Sequence, residues 1–419
     1  MPEATFAVLM LVILGWAVVS DRLARWNVTG PMVFTVFGFV LANQDWGPLT
    51  VDVEAPSIHL LAELTLALLL FSDAARVNLS TLRHDIGVPA RLLGIGLPLT
   101  IVLGSLVAAW LFRDFSWALA GFVGAALAPT DAALSAQVIN DERIPTRVRR
   151  ALNVESGLND GIVTPIVVFT LAVAAGELEG EEASATAIQP VLELAIGVLV
   201  GLVIGFVAAK LIAFASRRSW VLPGARRLAT LAAAVGSFAV AGTVGGNGFI
   251  AAFIAGMVFG AALPREVVDP AEVSEFPELL GEVLSLAVWF LFGAALLPVV
   301  IEYFSVWTLV YAALSLTVIR LLPVAIGMLG TGQDRATVLF IGWFGPRGLA
   351  SVVFALLAIE ELGPSSAAGP AIAAVAFTVL VSVIIHGVTA GPIGRRYGSG
   401  HTEVGPAVAA PRARRQSHR

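Results

Sequence analysis

Cysteine is missing from all 419 residues, which excludes disulfides, thiolate metal sites and a thiol nucleophile. Histidine occurs five times and never as His-Glu-x-x-His, so the common zinc-hydrolase pattern is absent. Lysine occurs once, at Lys210, and nearly all positive charge is therefore arginine. Charged residues make up 13% of the chain, well below the ~25% of an ordinary water-soluble domain. The start, Met1-Pro2-Glu3, lacks a basic segment, and no small-residue cleavage pattern precedes Asp21-Arg22, so no removable leader is expected. The net charge of −5 is diffuse, and no nucleic-acid partner is expected.

Apolar residues take the remaining share, 58% of the chain. They fall into thirteen runs of roughly bilayer-spanning length, at 4–20, 29–42, 57–75, 88–112, 115–138, 151–176, 190–215, 226–244, 248–263, 277–300, 303–329, 333–359 and 369–391. The second and ninth are short. This layout predicts an all-α polytopic membrane protein of about thirteen transmembrane helices, with residues 1–396 forming the membrane domain and 397–419 a disordered basic cytoplasmic tail. Gly197, Gly201 and Gly205 form small-xxx-small steps in the seventh span and predict close helix packing.

Arginine placement sets an orientation. When loops are assigned to alternate sides, one side receives Arg22, Arg25, Arg76, Arg91, Arg143, Arg147, Arg149, Arg150, Arg217 and many others, and the opposite side receives Arg113 alone. The basic side is expected to be the cytoplasm, which puts the N-terminus outside and the C-terminus inside. Arg320 and Arg347 remain inside apolar runs, so each needs a buried partner.

Two spans carry breaks at matching places. The fifth holds Ala128-Pro129-Thr130-Asp131 and the twelfth Gly345-Pro346-Arg347-Gly348. Proline removes a backbone donor and clashes with the preceding turn, and such a break survives at bilayer depth only where protein or water satisfies the freed groups. The breaks lie seven spans apart, an odd number, so a second copy of the first half would run inverted. The layout predicts inverted six-helix repeats joined by the seventh helix, with the broken helices crossing at a midplane site. Thr130 and Asp131 suit the positive start of a half-helix, and Arg347 is expected to face the carbonyls ending its own helix's first half.

Between the breaks runs Asn153-Val154-Glu155-Ser156-Gly157-Leu158-Asn159-Asp160, at the start of the sixth span. Acidic side chains are costly in a bilayer and are rarely there for packing. On a helix, Glu155 and Asn159 stack four residues apart, as do Ser156 and Asp160, and the two strips adjoin. The result is an oxygen-rich patch able to hold a proton or a bare cation. Plainer readings exist for each residue: Asp160 as half of a buried ion pair, Asp131 as a helix cap, Glu155 with Arg320 and Arg347 as structural charges, Asp73 as a helix-end carboxylate, His386 as a satisfied core imidazole, and Glu63 and Glu193 as solvated span ends.

The Thr-Asp break, Glu-Ser-Gly-Leu-Asn-Asp, the buried arginine of the eleventh span, Pro-Arg-Gly-Leu-Ala-Ser and the ending Val381-Ser382-Val383-Ile384-Ile385-His386-Gly387 together resemble the monovalent cation/proton antiporter superfamily. Within it they are similar to the NhaP-type sodium/proton exchanger branch, over about residues 4–395, with the Asn-Asp pair as the diagnostic part. The resemblance implies that Asp160 carries the cation or the proton. Ser156, Thr130 and Asp131 would help coordinate, Asp73 would line the cytoplasmic funnel, and Glu155 would be held by Arg320 together with Asn159. It also implies a core bundle from helices 4–6 and 11–13, a dimerisation and scaffold bundle from the others, a homodimer, and a cell-membrane location. Here Pro129 precedes the Thr-Asp pair instead of following it, and Pro346 stands before Arg347 where the family usually has Gly-Leu.

On this reading the expected function is secondary active exchange of a monovalent cation for a proton, without a cofactor. The cation is expected to be sodium, with lithium and potassium left open. Asp160, Asp131, Ser156 and the Thr130 carbonyl would replace its hydration shell. Cation and proton would compete for Asp160, and alternating access would move the site between sides. Electrogenic relatives carry aspartate where this chain has Asn159, together with a lysine partner that is absent here; Arg320 cannot release a proton. One titrating carboxylate predicts electroneutral one-for-one exchange. A cation channel, or more remotely an intramembrane enzyme, is the competing class; flux without saturation would favour the first and stoichiometric zinc the second.

Overall fold

The computed structural model describes residues 3–43, 46–49, 51–52, 55–77, 87–179, 188–363 and 368–400. Among them there is no strand, and helices occupy the apolar runs in order. These are α1 (Glu3–Ala24), α2 (Gly30–Leu41), α3 (Pro56–Arg76), α4 (Gly87–Leu111), α5a (Trp117–Ala126), α5b (Ala136–Ile139), α6 (Thr146–Glu179) and α7 (Ile188–Arg217). They continue as α8 (Pro223–Thr243), α9 (Gly248–Ala262), α10 (Glu275–Tyr303), α11 (Val306–Gly327), α12a (Arg335–Trp343), α12b (Leu349–Leu362) and α13 (Gly369–Gly400). Eight of the described helices, namely α1, α3, α4, α6, α7, α10, α11 and α13, are long and apolar enough to cross a bilayer. α2, α5a and α9 are apolar but shorter.

Local chemistry sets where the helices begin. The Ser116 hydroxyl accepts from Leu119 N at 3.1 Å, Asn247 Oδ1 from Ile250 N at 3.0 Å and Asp334 Oδ1 from Thr337 N at 3.0 Å, each satisfying an orphan first-turn donor. Pro56 and Pro223 open α3 and α8, where a missing N–H costs nothing. Prolines also shape the interiors. α4 widens into a π turn over Leu92–Gly96 just before Pro98, and α10 does so over Phe292–Leu296 just before Pro298. In both, the proline ring displaces the carbonyl four residues earlier.

Glycines let two pairs of helices approach closely. A Cβ on Gly197 or Gly201 would stand 2.6 Å from the carbonyl oxygen of Asn247 or Ala251, and one on Gly205 would overlap that of Ala255, so α7 lies directly on the α9 backbone. Gly256 and Gly260 of α9 meet the Phe71 and Ala75 carbonyls of α3 in the same way. Most buried apolar side chains form one continuous core. A second, smaller core joins α4, α5b, α6, α11, α12a and α13 through Leu92, Val138, Leu152, Val324, Phe340 and Tyr397 at the arginine-rich end.

The last helix departs from the expected boundary at 396. α13 runs on to Gly400 because Tyr397 is buried, stacks on Phe340 at a ring separation of 4.0 Å and shares a 2.7 Å hydrogen bond with Thr337. The rest of the expected tail, 401–419, lies outside the described residues. Beside α13, Asp141 accepts from Arg143 Nε at 2.8 Å and Nη2 at 2.7 Å, and this arginine fork holds the Asp141 carboxyl below its usual range.

Candidate ion-binding site

Both expected breaks are present, and they touch. Helix stops at Ala126 and at Trp343, and the chain runs without helix through Pro129–Asp131 and Phe344–Gly348. Asp131 N donates to Pro346 O at 2.9 Å, so the two unwound strands satisfy each other. Charges are exchanged across the crossing. Asp131 Oδ2 accepts from Leu349 N at 3.0 Å, capping the start of α12b, and its Oδ1 accepts from Ala133 N at 2.7 Å and Leu134 N at 3.2 Å. Arg347, fully buried, donates through Nη1 to Ala128 O and, at 3.1 Å, to Pro129 O. It therefore serves the carbonyl end of α5a, not the end of its own first half, because the crossing brings the α5 carbonyls closer to its reach. Gly348 permits the contact, since a Cβ there would collide with Asp131.

The α6 side chains face this crossing. Ser156 Oγ and Thr130 Oγ1 share a 3.0 Å hydrogen bond, and Asn159 Nδ2 donates to Thr130 Oγ1 at 2.7 Å. Glu155 is gripped on both oxygens by Arg320, at 2.6 Å from Nη1 and 3.0 Å from Nη2, and both residues are buried. Asn159 does not join that grip. The guanidinium fork already fills Glu155, and the nearest open acceptor for the amide is the Thr130 hydroxyl. Arg320 reaches Glu155 from the first turn after a joint in α11 at Thr317, an interruption additional to the two expected breaks. Pro323, which unsettles the turn before it, is the available signal.

Asp160 differs from its neighbours. Among the described residues no donor is bonded to its half-buried carboxylate, and the carboxylates of Asp131 and Asp73 stand close enough to repel it. Asp73, near the end of α3, has its Cβ 3.7 Å from where a side chain on Gly157 would begin. It lies beside Arg76, Glu278 and Glu282, and Arg76 is paired with Glu278. The site thus gathers Asp160, Asp131, Asp73, Thr130 and Ser156 on one side. Arg320, Arg347 and Glu155 stand behind.

Three further residues support the breaks. Ser351 Oγ donates to Ala126 O at 2.6 Å, satisfying the last carbonyl of α5a. Ser382 Oγ accepts from Arg347 N at 2.7 Å and lies 3.2 Å from His386 Nδ1, while His386 Nε2 lies 2.9 Å from the Trp343 carbonyl that ends α12a. His386 Nδ1 also lies 2.9 Å from the Ser382 carbonyl, so both ring nitrogens face carbonyl oxygens. Ser382 and His386 are four apart on α13, so helical spacing was their signal, whereas Ser351 follows the unwound Arg347 and had none. At the opposite end of the spans, His59 of α3 bonds Glu360 of α12b at 3.0 Å, beside a cavity of about 540 Å³ lined by Glu63, Glu193 and Glu361.

Comparison with known proteins gives consistent likenesses. The family described as "Sodium/hydrogen exchanger, transmembrane" matches residues 8–396. The chain is 30% identical over 352 residues to the Na(+)/H(+) antiporter NhaP of Pseudomonas aeruginosa, covering 79% of this chain and 80% of that one. It is 24% identical over 327 residues to the K(+)/H(+) antiporter NhaP of Alkalimonas amylolytica, covering 78% of this chain and 55% of the relative, so it spans little more than half the length of that protein. Among solved structures, the sodium proton antiporter MjNhaP1 of Methanocaldococcus jannaschii at pH 8 superposes with a TM-score of 0.74 at 21% identity, covering 94% of this chain and 98% of that one.

Proposed function

Since the chain belongs to the sodium/hydrogen exchanger transmembrane family, we propose that it exchanges a monovalent cation for a proton across the membrane, with Asp160 as the shared carrier. The observation that carries this reading is the contrast between two carboxylates. Asp131 is held by three backbone N–H groups, whereas Asp160 has no bonded donor among the described residues. A carboxylate partly withdrawn from water, without a bonded donor and beside two others, is costly as a bare anion. It is relieved by a proton or by a cation, and one displaces the other. Ser156 and the Thr130 carbonyl supply neutral oxygens for a dehydrated ion, and Asp73 attracts it from the arginine-rich side.

In this proposal the inner ends are those bearing the arginines, the N-terminus is outside and the thirteen helical stretches all cross. The small core shared by α4, α5b, α6, α11, α12a and α13 supports one moving bundle, and the glycine-packed α3, α7 and α9 support a separate scaffold. A homodimer in the cell membrane belongs to the same reading by family resemblance. Sodium and potassium are both candidate substrates, because the relatives named above divide between them. The test is collapse of an imposed pH gradient in vesicles, with each alkali cation in turn, comparing the parent protein with Asp160→Asn. Saturable collapse that the variant loses is expected; full exchange by Asp160→Asn overturns the assignment.

A further inference from the structure

A recess at the arginine-rich end is unused by the exchange chemistry. It measures about 320 Å³ and lies between α4, the start of α6 and the turn joining α11 to α12a. Arg91, Arg147 and Arg150 line it together with Thr331 and Gln333, over an apolar floor that includes Ile341, and among the described lining residues there is no carboxylate. The first turns of α6 add the positive end of a 34-residue helix. Arg91 is fixed to the end of α11 through the Gly327 and Leu329 carbonyls. Arg147 and Arg150 are each engaged within the protein, and a guanidinium with five donors keeps capacity for a phosphate oxygen.

One more feature bears on the occupant. From Arg91, α4 continues into Ile95, Leu99, Val102 and Leu106, an apolar stripe at helical spacing that is 40%, 36%, 54% and 50% exposed. The recess therefore opens at the head of a surface suited to hydrocarbon chains. Basic pockets between helices on the inner side of a membrane bind anionic headgroups by this pairing of charge and apolar wall.

We propose that this recess binds the phosphate headgroup of an anionic phospholipid, with the acyl chains lying along α4. The placement on the inner leaflet rests on the orientation given under Proposed function. A bound headgroup would tie α4 to α6 and to the Ile341 turn of α12a, whose carbonyl lies 3.5 Å from Arg320 Nη2.

The test uses the full chain in nanodiscs of phosphatidylcholine alone or with added phosphatidylglycerol. Lipid retained after detergent release is counted by native mass spectrometry, and the melting midpoint is followed during lipid titration. The parent protein is expected to retain phosphatidylglycerol and to melt higher in its presence. Arg147→Gln with Arg150→Gln should weaken this binding roughly thirtyfold, from about one lysine- or arginine-sized contribution per side chain. Arg217→Gln with Arg218→Gln, at the exposed end of α7, should leave it within about twofold. Absence of retained lipid on the parent protein, or equal loss in both double variants, overturns the site. A midpoint raised in phosphatidylcholine discs by inorganic phosphate, and lost with Arg147 and Arg150, overturns the lipid assignment in favour of a soluble phosphate. A lipid-free protein that still exchanges cations loses only this site, whereas failed exchange with retained lipid counts against the antiport reading alone.

Discussion

At the scale of single residues, two aspartates a helix apart receive different roles from their donors. Asp131 caps the start of α12b and closes the turn at Ala133 and Leu134, so Asp131→Ala should lower stability by about 0.5–2 kcal/mol, as loss of a cap does, and leave slowed exchange. Asp160→Asn should melt like the parent and exchange nothing. Thermal melts and vesicle transport of the two variants check the split; equal behaviour would contradict it. The sequence made Asp160 and its neighbours legible through helical spacing, because Ser156, Asn159 and Asp160 need only an intact α6 to share a face. It did not make the partners of Asn159 and Arg347 legible. Those depend on where two unwound strands cross, which no local pattern encodes, and Arg347 accordingly serves α5 in place of α12.

At the scale of elements, burial decides what the broken helices require. Glu155 and Arg320 hold α6 to α11 as a buried fork at 2.6 and 3.0 Å. Removing Arg320 alone strands a buried carboxylate and should cost about 3–5 kcal/mol, while Glu155→Gln with Arg320→Met should recover much of that loss. A double-mutant cycle on melting midpoints measures the coupling; additive effects would contradict a paired role. On α7, Gly201→Leu forces a side chain into the Ala251 carbonyl of α9 and should destabilise by at least about 1–3 kcal/mol. Gly236, which has open space around it, is the control site: Gly236→Ala should change the melt little. Helix positions, both prolyl breaks and the glycine seam were readable because each rests on local sequence. The π turns before Pro98 and Pro298 and the joint at Thr317 were not, since a proline announces a disturbance without saying whether the helix kinks, widens or parts.

At the scale of the whole molecule, the account turns on charge. With Asn159 where a carboxylate would add a titrating group and Arg320 permanently charged, the proposed exchange is expected to carry one ion of either kind per half-cycle. Exchange measured in proteoliposomes with clamped ion gradients should therefore be unmoved by an imposed potential, although each uncompensated charge would be driven by about 2.3 kcal/mol per 100 mV. A rate that follows the potential would require a second proton or ion. The claim beneath all of this is that cation and proton occupy Asp160 by turns. It is tested most directly by adding sodium or potassium chloride to weakly buffered, detergent-purified protein and measuring proton release alongside cation binding. The account predicts about one proton released per cation bound in the parent protein and neither event in Asp160→Asn. Cation binding without proton release, or release that persists in the variant, would contradict it.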